Sequence, residues 1–132
     1  MKSKLPIILA VLAGVGLTLG TMQLTRLGAA NAEACSNPGV QPQSHTIMIM
    51  NSKAEPANIT GRLCDTVTIN NMDNVAREIT FGPHENHVLY DGVSEKVLNL
   101  GQSFTLTLNK TDDVRFHDHL HDEVDGHILV IK

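Results

Sequence analysis

The sequence predicts an all-β domain, a sandwich or barrel of about 100 residues, behind a separate N-terminal segment. Three observations carry that reading. Short runs rich in Val, Ile and Thr alternate apolar and polar side chains at period two. Clusters of Gly, Asn, Asp and Pro punctuate these runs at turn spacing. No helical period persists over ten residues anywhere after Ala32. The 132 residues are room for one domain and little else.

Residues 1–32 read as targeting. Lys2 and Lys4 precede an apolar stretch from Leu5 to Leu19, and Ala30-Asn31-Ala32 offers a small-x-small cleavage site. A signal peptide cleaved before Glu33 is expected. The rival is an uncleaved membrane anchor, because no charge interrupts Leu5 to Thr25. Either way the basic end stays inside. The folded part is then exported: periplasmic, extracellular, or held on the outer face of the cytoplasmic membrane. Residues 33–44, with a Pro/Gln/Ser-rich run from Asn37 to Ser44, are a lead-in, and residues 45–132 form the domain.

The strands follow in order. His45 to Met50 sets Ile47 and Ile49 against Thr46, Met48 and Met50. Thr66 to Asn70 sets Val67 and Ile69 against Thr66 and Thr68, and Arg77 to Phe81 sets Ile79 and Phe81 against Glu78 and Thr80. Ser103 to Leu108 places Phe104, Leu106 and Leu108 on one face, and Val114 to His117 and His127 to Ile131 close the series. With no Trp, one Tyr and three Phe, the core must be built mainly from aliphatic side chains.

The formal net charge is -4, unevenly placed. Residues 1–32 hold three basic side chains and no acid, so the rest carries 7 bases against 14 acids. That balance argues against nucleic acid as a partner, since neutralising phosphates needs a basic face. Two cysteines, Cys35 and Cys64, lie in the exported part. An even count in an oxidising compartment favours a disulfide. The alternative is a cysteine ligating a metal, and the distance of both from the histidines in sequence argues against it.

Six of the seven histidines fall between His84 and His127. Pro83-His84-Glu85-Asn86-His87 has H-x-x-H spacing after a strand, and His117, His119 and His121 stand at every second position. If residues 117–121 stay extended, these three rings point to one side and Phe116, Asp118 and Leu120 to the other. Converging imidazoles suit divalent copper, nickel or zinc. Asp118 or Glu85 could supply an oxygen ligand or orient a ring. The plainer alternative is a pH-sensitive or merely polar loop. The sequence has no G-x-S-x-G, no H-E-x-x-H and no phosphate-cradling glycine loop, so an enzyme is not expected.

The C-terminal residues VRFHDHLHDEVDGHILV, 114–130, resemble the ligand loop and last strand of the cupredoxins, the small blue-copper β-sandwiches. Phe116 takes the aromatic position, His121 the histidine ligand and Gly126 the glycine. TVTINNMDNVAREITF resembles the strand and Asn-rich turn before the family's first histidine ligand, and Gly101-Gln102-Ser103-Phe104 a later turn. Cys35 and Cys64 resemble the azurin disulfide. The resemblance implies an antiparallel Greek-key β-sandwich. It also implies a lost blue-copper site, because Asp118 stands at the thiolate position, Val124 at the axial methionine and Arg77 at the first histidine. A buried Arg77–Asp118 ion pair tying the strands where the metal once did is the expectation that follows.

GPHENHVLYDG and FHDHL further resemble an exported bacterial subgroup of cupredoxin-like proteins, which implies that His84, His87, His117 and His119 belong together. The expected function is extracytoplasmic metal binding through these residues and His121. Copper is the first expectation and zinc the second, in carriage, sequestration or sensing. The alternative is a metal-free structural or protein-interaction domain. Membrane contact is expected only through an uncleaved N-terminal segment.

Overall fold

The computed structural model describes Cys35, Gly39 and residues 41–132. The expected signal segment, its cleavage site and half of the lead-in lie outside the described residues. Nine strands follow: β1 (Ser44–Met50), β2 (Lys53–Glu55), β3 (Asn58–Arg62), β4 (Thr66–Asn71), β5 (Arg77–Phe81), β6 (Glu95–Leu98), β7 (Ser103–Thr107), β8 (Asp113–Asp118) and β9 (His121–Ile131).

Alternation decides how they stack. Ile47, Ile49, Val67, Ile69 and Leu106 face inward from a four-stranded sheet ordered β2-β1-β4-β7. Ile79, Phe81, Val114, Phe116, Val124 and Ile128 meet them from a five-stranded sheet ordered β3-β9-β8-β5-β6. Each inner face leaves water as the two sheets close, as the period-two pattern requires.

The sandwich is mixed, where the sequence reading had antiparallel pairing. β1 runs parallel to β4 with Ile47 opposite Ile69, and β3 runs parallel to β9 with Ile59 opposite Ile128. In both cases the chain visits the other sheet between the partners, so it returns in the same direction. The remaining ladders are antiparallel.

Phe116 pairs with Gly126 across β8 and β9. The backbone there lies so close that a Cβ on Gly126 would meet the carbonyl oxygen of Ala57 and, at 2.6 Å, the Phe116 ring.

Cys35 and Cys64 form a disulfide, Cα–Cα 5.2 Å, across a sequence separation of 29 residues. It fits an oxidising compartment. Closing a loop of that size restricts the unfolded chain and stabilises the fold by roughly 3 kcal/mol on the chain-entropy account. The folded, oxidised protein is therefore expected to show no free thiol. Urea titration with and without reductant should show a stability loss of about that size, and reactive thiols in folded material would contradict the assignment.

Candidate metal centre

The site is made by two neighbouring strands and the segment that follows one of them. β5 and β8 pair with Thr80 opposite His117 and Phe81 opposite Phe116. Phe81 and Phe116 point into the core, so Thr80 and His117 point to the outer face of the sheet. An outer face should be wet, yet Thr80 is 0% and His117 1% exposed.

The cover comes from residues 82–90. Gly82, in the left-handed region at φ 87°, donates its N–H to the Arg115 carbonyl at 2.8 Å and turns the chain back. The Val88 N–H then bonds the Phe81 carbonyl at 2.8 Å, closing the loop. This brings His84 and His87 onto the histidines of β8.

Ring centroids lie 5.4 Å apart for His84 and His117, 4.8 Å for His84 and His119, 5.3 Å for His87 and His117, and 4.7 Å for His87 and His119. One ring nitrogen from each of His84, His117 and His119 falls within 4.8 Å of the other two, so this group could hold a metal ion. His119 is placed by its N–H, which bonds the Glu78 carbonyl at 2.8 Å.

The surroundings of His117 favour its neutral ring. Burial lowers its pKa below the ordinary 6.5, and the neighbouring Arg115, His87 and His84 lower it further. Thr80 Oγ1 sits 3.1 Å from its Nε2. His84 Nδ1 lies 3.1 Å from Asp122 Oδ1, and His87 Nδ1 lies 3.2 Å from Glu95 Oε1. Nε2 of His87 and Nδ1 of His119 are buried without a hydrogen-bond partner among the described residues.

His121 stands apart from this group. The extended run expected over residues 117–121 does not occur. β8 ends at Asp118, the ladder shifts register between His117 and Asp118, and the chain turns at His119-Leu120. His121 thus opens β9 opposite Asp118, and its Nδ1 donates to Asp118 Oδ2 at 3.0 Å.

On the inner side of the same strands lies a separate polar network. Arg77 Nη1 donates to Asp118 Oδ2 at 3.1 Å, with the two side chains 2% and 0% exposed. Arg77 Nη2 also donates to Asp73 Oδ2 at 2.6 Å and to Ser52 Oγ at 2.9 Å. Asp118 Oδ1 accepts the N–H groups of Glu78 at 3.0 Å and Leu120 at 3.1 Å. Burial opposes the charge on Arg77, but the bonds to Asp73 and Asp118 outweigh it and raise its pKa. For Asp73, burial is likewise outweighed by bonds from Ser52, Arg77 and Asn51, and its pKa falls.

Sequence reasoning named Arg77, Asp118 and the histidines and missed Asp73, Thr80, Glu95 and Asp122. Asp73 and Arg77 stand four residues apart, a weak signal. Glu95 carried none, because only the β5–β6 register, Thr80 opposite Glu95, brings it to the rings.

No protein-family profile and no characterised protein's sequence matches the chain. Solved structures do. A purple cupredoxin from Nitrosopumilus maritimus is 19% identical, with a TM-score of 0.58 over 66% of this chain and 99% of that one. A reduced single-substitution variant of amicyanin is 18% identical, with a TM-score of 0.57 over 70% of this chain and 87% of that one. The Cu(I) form of another amicyanin variant is 20% identical, with a TM-score of 0.56 and the same coverage. Two packed sheets in this order, closed by the Cys35–Cys64 disulfide, give this chain the cupredoxin fold.

Proposed function

We propose that the chain is an extracytoplasmic metal-binding module that takes divalent copper, with zinc as the competing ion. It acts in carriage, sequestration or sensing and is not an enzyme. The observation that carries this is the approach of His84, His117 and His119 ring nitrogens to within 4.8 Å of one another. Neutral imidazoles suit both ions, and the lowered pKa of His117 keeps its ring neutral below the pH at which an ordinary histidine protonates. The leader-like sequence of residues 1–32 and the disulfide support an exported location. Copper is favoured over zinc because imidazole donors bind Cu(II) more tightly in the Irving–Williams order.

Blue-copper electron transfer is not part of this reading. The positions that the cupredoxin resemblance assigns to the copper ligands hold Arg77 and Asp118, here a buried ion pair, and the buried Val124, with no thiolate among them. That donor chemistry does not fit a blue-copper ion.

Titration calorimetry of the exported protein with Cu(II) and Zn(II) tests the proposal. Binding tighter than micromolar for one of them, lost in His84→Ala, is the expected result. The His84 side chain is 43% exposed and lies outside the core, so its removal should leave the fold intact. Dissociation constants weaker than about millimolar for both metals would instead favour a metal-free structural or interaction domain.

A further inference from the structure

We infer that Glu95 is a positioning residue that holds His87 as the fourth ligand of the centre, through Nε2, and so closes the coordination shell. The inference rests on the metal-binding reading above and adds to it the ligand number, the donor atom and the group that fixes it.

Three observations converge on His87. Its Nδ1 points at the Glu95 carboxylate, 3.2 Å away. In a neutral ring, the Nδ1 proton donated to that carboxylate leaves the lone pair on Nε2. That Nε2 is buried and has no hydrogen-bond partner among the described residues. Buried polar atoms are nearly always paired, so an orphaned acceptor requires an explanation. The ring's place supplies one, since its centroid is 4.7 Å from that of His119, 5.3 Å from that of His117 and 6.3 Å from that of His84, at the edge of the three-nitrogen group. Nδ1 of His119 is orphaned in the same way. The two unsatisfied nitrogens thus belong to rings in contact.

A carboxylate on the far nitrogen of a metal-bound imidazole fixes the tautomer and the ring's orientation and raises its basicity. Asp122 stands in the same relation to His84 at 3.1 Å, but Asp122 is largely exposed, so the inference does not lean on that pair. Four imidazoles leave a tetrahedral ion no exchangeable position, which is the pattern of sites that hold a metal rather than turn over a substrate.

The test uses the full exported chain, as wild type, Glu95→Gln, His87→Ala and the double variant, with Cu(II), Zn(II) and Co(II) salts as probes. Glu95→Gln should weaken Cu(II) binding about 10–100-fold. His87→Ala should weaken it at least as much, and adding Glu95→Gln to His87→Ala should change nothing further. The thermal midpoint of the metal-free Glu95→Gln protein should stay at the wild-type value, because Glu95 is half exposed. Long-range proton–nitrogen NMR of the metal-free wild type should show His87 protonated on Nδ1. Azide should leave the visible spectrum of the Co(II) protein unchanged and should shift it in His87→Ala.

Wild-type binding with Glu95→Gln binding equally well would overturn this inference and leave the metal-binding reading standing. An Nε2-protonated His87, or an azide-sensitive wild-type spectrum, would overturn it too. Failure of the wild type to bind any of the three metals would overturn both.

Discussion

Replacing Asp118 with alanine is expected to cost the folded protein about 3–5 kcal/mol, the range for removing one member of a buried ion pair. The structure gives the reason in numbers of bonds rather than in charge alone. Asp118 accepts from Arg77, His121 and the backbone N–H groups of Glu78 and Leu120, all while fully buried. Alanine strands each of these donors at once. Arg77→Ala should be severe as well, yet toward the lower end, because Asp118 keeps three donors and Asp73 keeps the N–H groups of Asn51 and Ser52. Replacing both residues by apolar side chains should cost less than the two single effects added together, since neither partner is then left charged and alone. Urea unfolding of the four proteins completes the cycle. Additive effects below a kilocalorie would mean that the pair does not tie the strands.

Gly126→Ala should be the next most damaging change, near the upper end of the roughly 1–3 kcal/mol typical of overpacking. The added methyl group would fall onto the Ala57 carbonyl oxygen and the edge of the Phe116 ring. Neither can step aside cheaply. The Ala57 carbonyl is held by the His127 N–H at 2.9 Å, and Phe116 is fully buried opposite Gly126 itself. Thermal and urea denaturation measure the cost. A change of only a few tenths of a kilocalorie would show that β9 can slide away from Ala57 without penalty.

The strands that were legible in the sequence are those whose alternation is backed by burial. β1, β4, β5 and β7 each carry two or three aliphatic or aromatic side chains on one face, and those side chains form the core. β3 and β6 were not legible. β3 offers only half-buried Ile59 and buried Gly61 to the interior, and β6 only Leu98. Each is a strand because a partner's edge satisfies its backbone, and a neighbour's edge is not written in local composition. The same holds for the front half of β9, where Asp122, Glu123 and Asp125 hide the inward Val124 and Gly126.

The candidate metal centre divides in the same way. His84, His87, His117 and His119 could be singled out from their spacing and from the family likeness. The separation of His121 from them could not, because it depends on a register shift and a turn within a stretch that alternates faultlessly on paper. Glu95 depends on pairing across β5 and β6, and the burial of Thr80 and His117 on an outer face depends on how residues 82–90 lie.

The two parallel ladders bear on the order in which the molecule can assemble. Asn58 and its register partner His127 lie about seventy residues apart, whereas β1 meets β4 across only about twenty. Strand β3 has no neighbour but β9, so it cannot be anchored until nearly the whole domain has been threaded into place. Loop-closure entropy is spent long before the contacts that repay it, and topologies of this kind fold on millisecond-to-second rather than microsecond timescales. β8, which carries His117 and Asp118 to opposite faces of one sheet, docks against that same late strand. A histidine cluster that exists only once β8 is seated would therefore be among the last features to mature, so a half-assembled chain offers no preformed group of these rings.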